Sequence, residues 1–132
     1  MARIEAFEDL EAWRIARRLA RDLFAASSKG RFATDYILRD QVRRAAISVM
    51  SNIAEGFERG GNQELVHFLS VAKGSAGELR SQLVIASDCG YLDPREFSEL
   101  NALARQVGAK LGALMSYLRR SGMRGSKFND QT

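Results

Sequence analysis

Disulfide chemistry is excluded within this chain: it has one cysteine, Cys89, which points to a reducing, cytoplasmic setting. Proline is almost missing too. Pro94 stands alone among 132 residues, so long helices are free to run elsewhere. No run reaches 18 consecutive apolar residues, so no membrane-spanning helix is expected. Met1-Ala2-Arg3-Ile4-Glu5 has an early acid and no apolar stretch, which does not read as a signal peptide. One histidine, His67, and one cysteine are too few for a Cys/His zinc site. Gly60-Gly61 lacks the Gly-Lys-Ser/Thr that completes a phosphate-cradling loop. Glu64-Leu65-Val66-His67 has the Glu-x-x-His spacing of di-iron bundles, but such sites need two of these motifs and two further glutamates. These shortages argue against an enzyme and imply no cofactor and no metal.

What the sequence has in abundance is helical periodicity. Four apolar-periodic segments are expected as helices, over about 8–27, 35–59, 63–89 and 94–120. Trp13, Ala16, Ala20 and Leu23 mark the first. Leu38, Val42, Ala46, Val49, Ile53 and Phe57 mark the second. Leu65, Leu69, Ala72, Ala76, Leu79, Leu83 and Ala86 mark the third, and Phe97, Leu100, Ala104, Val107, Leu111, Leu114 and Leu118 the fourth. Alternating steps of three and four residues are the packing period of helical bundles, and no segment alternates with period two. Ser27-Ser28-Lys29-Gly30 ends the first helix and Thr34 is placed to cap the second. Gly60-Gly61 stops the second and Asn62 is placed to cap the third. Gly90 ends the third, and Asp93-Pro94-Arg95-Glu96 opens the fourth with an acid cap, Pro at the first helical position and Glu two residues on. Connections this short force neighbouring helices to run antiparallel. The expected fold is all-α: one up-down-up-down four-helix bundle over residues 1–120, with a loose polar tail over 121–132.

The second helix is apolar on more than one face. Ala45, Ile47, Met50 and Ala54 add to its stripe, so a second subunit is expected to cover its outer side. A polar seam runs along the same helix through Arg44, Ser48, Asn52, Glu55 and Arg59. It reads either as a partly buried network with obligatory partners or as a solvated face. Gly74-Ser75-Ala76-Gly77-Glu78 places two glycines in one turn of the third helix, each costing about 1 kcal/mol relative to alanine. Close helix packing explains them most simply, and a ligand contact is the sharper alternative. Glu78 is placed to reach Arg44 or Arg59.

Charge is unbalanced: 20 basic residues against 16 acids give +4, and 16 of the 20 are arginine. Arginine suits planar, bidentate contacts with phosphate. Arg14, Arg18 and Arg21 fall on one side of the first helix, with Arg17 flanking. Arg119, Arg120, Arg124 and Lys127 add charge near the C-terminus. Such stripes can track phosphates with salt-sensitive affinity; the plainer reading is a solvated face neutralised by Glu11 and Asp22. Only Tyr117 and Phe128 lie near the C-terminal charge to stack bases, so backbone binding is favoured over base reading.

Several stretches carry a family resemblance: Phe7-Glu8-Asp9-Leu10-Glu11-Ala12-Trp13, Gln41-Val42-Arg43-Arg44-Ala45-Ala46, Ser51-Asn52-Ile53-Ala54-Glu55-Gly56-Phe57-Glu58-Arg59, Phe68-Leu69-Ser70-Val71-Ala72-Lys73-Gly74-Ser75 and Glu78-Leu79. Together they resemble the bacterial four-helix-bundle family first noted in intervening sequences of large-subunit ribosomal RNA genes. That family includes accessory proteins of diversity-generating retroelements. The resemblance implies a bundle that assembles into a ring, typically a homopentamer, with no catalytic residues. It also implies, from the retroelement relatives, binding to nucleic acid and to a protein. Arg44, Asn52, Glu55, Arg59, Ser75 and Glu78 match the family's polar core or interface positions. Phe32-Ala33 departs from a usual Phe-Pro. The resulting expectation is a non-catalytic ring that binds nucleic acid through phosphates, with a protein–protein scaffold as the alternative and a metal enzyme as the least favoured.

Overall fold

The computed structural model describes residues 4–122, and all regular structure among them is helical. The chain begins with a 3-10 turn, Phe7–Asp9. The Asp9 carboxylate ties it down by accepting from the backbone N–H groups of Glu5 and Ala6 at 2.9 and 3.1 Å. Leu10 is extended and buried and separates this turn from α1, Glu11–Ala26. The first helix is therefore shorter than its sequence pattern and starts after a break.

A one-turn helix, α2 (Gly30–Thr34), occupies what reads in the sequence as a loop. Gly30 enters it at φ 55°, a conformation glycine adopts at no steric cost. Phe32 is the reason the turn exists: its ring is fully buried and stacks on Tyr91 at 5.4 Å between centroids. The arginine next to it, Arg31, lies over the other aromatic at 5.3 Å and donates to the Cys89 carbonyl at 2.9 Å.

Three longer helices follow: α3 (Tyr36–Arg59), α4 (Asn62–Asp88) and α5 (Pro94–Gly122). Asp35 caps α3, its Oδ1 accepting from the Leu38 N–H at 3.1 Å; Thr34 instead bonds back to the Arg31 carbonyl. Gly60 ends α3 at φ 86°. Gly61 takes the cap position of α4, and Asn62 is already helical, so the expected Asn62 cap is not made. Its amide is buried, and neither Oδ1 nor Nδ2 has a partner among the described residues. Gly90 closes α4 at φ 76°. At α5 the reciprocal cap forms as its spacing predicts: the Glu96 N–H donates to Asp93 Oδ1 at 2.8 Å, and the Asp93 N–H to Glu96 Oε1 at 3.0 Å. Because α5 continues to Gly122 and buries Ser121, the start of the expected tail is helical; the rest lies outside the described residues.

The four long helices pack cyclically: α1 on α3, α3 on α4, α4 on α5 and α5 on α1. Two apolar clusters fill the space between them. One gathers Leu19, Leu23, Phe32, Val42, Leu79, Leu83 and Leu100; the other gathers Val49, Ile53, Leu65, Leu69, Val107, Leu111 and Leu118. Every stripe residue of α4, from Leu65 to Ala86, is buried. At the end of α1, Arg43 of α3 donates to the hydroxyls of Ser27 (2.8 Å) and Ser28 (2.9 Å) and lies over Phe24 at 4.7 Å. Cross-helix bonding thus covers an end that would otherwise leave polar groups open.

Candidate nucleic-acid interface

On α1 the buried positions Ala12, Ala16, Leu19 and Leu23 define the inner face. At 100° per residue, Arg14, Arg18 and Arg21 point to the opposite side, and Arg17 lies at its border. All four are exposed. Their surroundings differ. Arg14 donates to the Asp9 carbonyl at 2.9 Å, Arg17 lies 6.0 Å from the Trp13 ring centre, and Arg18 approaches Asp22 at 3.7 Å. Two nearby acids are held low. Asp9 is depressed by the Glu5 and Ala6 N–H groups and then by Arg14, and Glu11 by Lys110, which meets it at 2.8 Å. The stripe is real but partly neutralised along its length.

Arg119 and Arg120 are exposed on the last turns of α5. The Glu11–Lys110 pair fixes the level at which α5 passes the start of α1. Nine residues beyond Lys110, Arg119 is about 14 Å further along the axis. Met115 and Leu118 share an apolar cluster with Leu10, Ala12 and Ala16, whereas Leu19 and Leu23 cluster with Leu100 and Ala104, so Arg119 and Arg120 lie toward the start of α1 and away from Arg18 and Arg21. Tyr117 beside them is exposed; Arg124, Lys127 and Phe128 lie outside the described residues.

The polar seam of α3 divides into two parts. Ser48, Asn52 and Ser75 form a half-buried cluster between α3 and α4. The two hydroxyls lie 2.8 Å apart, and the Asn52 Nδ2 donates to the Ser48 carbonyl and hydroxyl at 2.8 and 3.0 Å. Arg44, Glu55, Arg59 and Glu78 are exposed. Arg59 donates to Glu55 at 2.8 Å, approaches Glu64 at 3.7 Å and lies 5.1 Å from the Phe68 ring centre. It thus straddles the α3–α4 turn, and the Glu55 hydrogen bond first, with both acids' charge, raises its pKa. Glu78 is not its partner. It lies sixteen residues into α4, about 24 Å from the helix start that Arg59 reaches. Among the described residues neither Glu78 nor Arg44 forms a hydrogen bond or ion pair. Arg59 and Glu55 are each about half exposed, at 49% and 51%, so the seam's charges are solvated in the subunit.

Close packing does not explain the paired glycines of α4. A Cβ on Gly74 or Gly77 would meet no atom within 4 Å. The close approach is instead at Gly56, where a Cβ would stand 2.7 Å from the Phe68 Cβ. His67 is exposed with its ring edge-on to Phe68 at 5.1 Å, and Glu64 belongs to Arg59. Among the described residues no three His, Cys, Asp or Glu side chains come together to hold a metal. No described helix is long and apolar enough to cross a membrane. Sequence reasoning missed the groove between α4 and α5, lined by Lys73, Arg80 and Arg105. Its one sequence signal was the pair Lys73 and Arg80, seven residues apart with Gly77 between them, beside the leucine stripe.

Residues 8–113 match the protein family described as 23S rRNA-intervening sequence protein. No curated protein matches the chain. Among solved structures, one that resembles it is a protein of unknown function from the S23 ribosomal protein family of Bacteroides thetaiotaomicron. It is 14% identical with a TM-score of 0.73, and the match covers 79% of this chain and 97% of that one. At that identity the likeness concerns the fold alone.

Proposed function

Since the chain belongs to the 23S rRNA-intervening sequence protein family, we propose that it is a non-catalytic scaffold that binds nucleic acid through backbone phosphates. The observation that carries this reading is the outward face of α1, where Arg14, Arg17, Arg18 and Arg21 are all exposed on a chain of net charge +4. Phosphate contacts of this kind need charge and reach but no base-specific geometry. A binding assay with mixed-sequence DNA and RNA across a salt titration tests it. The logarithm of affinity should fall linearly with the logarithm of salt concentration. Absence of binding at low salt would sink the reading.

The subunit is read as an up-down-up-down bundle working in the cytoplasm. The start of α3 meets the end of α4 through Asp35 and Tyr91, and the end of α3 meets the start of α4 through Gly56 and Leu65. Opposed directions of the two helices account for both contacts. Assembly into a closed ring, a pentamer by family resemblance, is supported by the exposed Ile37, Ile47, Val71 and Ile85 on α3 and α4 and by the unpartnered Arg44 and Glu78 beside them. The second reading gives that apolar face to a different protein. It would make the purified chain a 14.7 kDa monomer and a pull-down productive.

A further inference from the structure

Along the outer side of the α4–α5 seam lies a groove of about 350 Å³. Lys73 and Arg80 line it from α4 and Arg105 from α5, and Ala76, Gly77 and Gly108 are among the small residues between them. No lining residue is acidic. Among the described residues none of the three cations meets a carboxylate; Arg80 donates only to the neutral Asn101 Oδ1 at 3.3 Å. This differs from α1, where Arg18 has Asp22 close by. Three like charges around one concavity lined otherwise by alanine and glycine add their fields inside it, and the groove attracts an anion.

The glycines fit the same purpose. A Cβ on Gly77 or Gly108 would meet nothing within 4 Å, so helix packing does not require either. Each still costs a helix interior about 1 kcal/mol relative to alanine. A bare backbone at those points lets a ligand come closer than any side chain would. Gly112 has a related place: a Cβ there would stand 3.6 Å from the Lys73 Cε, so the lysine stem reaches across to α5. Lys73 and Arg80 are two helical turns apart, about 10 Å, a span longer than the spacing of one phosphate to the next along a strand, so the two can hold separate phosphates. Lys73, Gly77, Arg80, Arg105 and Ala109 are all exposed, whereas small-molecule sites enclose most of their ligand. An open basic groove suits a polymer.

We propose that the α4–α5 groove seats the phosphodiester backbone of a nucleic-acid strand, with Lys73, Arg80 and Arg105 as its phosphate contacts. The inference rests on the nucleic-acid reading above and adds a surface separate from the α1 stripe.

The test is fluorescence anisotropy with labelled mixed-sequence single-stranded and duplex oligonucleotides, using the full chain over a range of salt. Arg80→Gln with Arg105→Gln should weaken binding more than tenfold at low salt. The salt slope should become shallower by about two phosphate contacts, each worth roughly 0.7–0.9 in slope. Gly77→Leu with Gly108→Leu keeps every charge and fills the groove, and it should weaken binding to a similar extent. Leucine favours helix, so circular dichroism should show the fold intact. Arg39→Gln with Arg95→Gln removes two arginines that already have acid partners, Asp40 and Glu99, and should change affinity less than threefold. If both groove variants bind no worse than this reference while Arg14→Gln with Arg18→Gln loses binding, the groove proposal falls and the nucleic-acid reading stands. If the charge variant weakens binding and the filled groove does not, seating in the groove is refuted. If the unaltered chain binds no oligonucleotide at low salt, both fall.

Discussion

Gly56 and Gly77 are both helix-interior glycines, yet they do opposite things. Gly56 is where α3 and α4 come closest: a Cβ there would stand 2.7 Å from the Phe68 Cβ and 3.1 Å from a Leu65 methyl. Gly56→Ala should push the helices apart and destabilise by about 1–3 kcal/mol, measured by denaturant unfolding. A midpoint equal to that of the unaltered chain would contradict the close approach. Gly77→Ala faces open groove and should stabilise by up to about 1 kcal/mol. Asp35 supports a second residue-scale prediction. Its carboxyl lies below the usual carboxylate range because the Leu38 N–H donates to it, and the Tyr91 hydroxyl donates at 2.8 Å. An acid depressed by folding adds stability above its unfolded pKa, and that stability is lost as pH falls through the folded value. Tyr91→Phe should therefore move the Asp35 titration upward, toward an ordinary carboxylate, in carboxyl NMR. An unmoved midpoint would show that the hydroxyl contributes nothing.

At the scale of elements, the helical stripes were legible because burial repeats every three or four residues. Leu65, Leu69, Leu79 and Leu83 needed only their spacing. The reciprocal cap at Asp93 and Glu96 was equally legible, since it needs two residue types at a fixed distance. Single-residue caps were not. Thr34 and Asp35 are both good caps by type, and only tertiary packing of α2 decides between them. Asn62 sits beside two glycines, and the backbone turns at Gly61 before its side chain can serve. The least legible element was α2. Five residues are too few to show a period, and the buried Phe32 is an isolated aromatic in the sequence. Phe32→Ala should cost about 3–5 kcal/mol, because nothing else fills the space against Tyr91. Thermal unfolding would measure it, and a loss below about 1 kcal/mol would mean that the site collapses freely.

For the whole molecule, the sequence revealed the excess of arginine but not its arrangement. Arg14, Arg18 and Arg21 share one helix, so their angle could be computed. The α4–α5 groove joins Arg105 to Lys73 and Arg80 across two helices, and only packing brings them together. The over-apolar α3 led to the expectation of a covering subunit, and Ile47 on that helix is exposed at 48% in the single chain. If copies of the chain cover this face, light scattering should give several times 14.7 kDa. Ile47→Glu with Val71→Glu should then return the mass to that of one chain with helix content unchanged. A monomeric unaltered chain would refute the ring.

The two-glycine turn closed by Arg59 also bears on kinetics. It joins helices of 24 and 27 residues with almost no loop to close, so docking α3 on α4 carries little entropic penalty. Docking α1 on α5 brings together Glu11 and Lys110, from nearly opposite ends of the described chain. Folding is thus expected to nucleate at the α3–α4 turn, with α1 arriving late. Stopped-flow measurements should show Gly56→Ala slowing refolding, while Lys110→Ala chiefly speeds unfolding. The reverse pattern would place the nucleus at the chain ends.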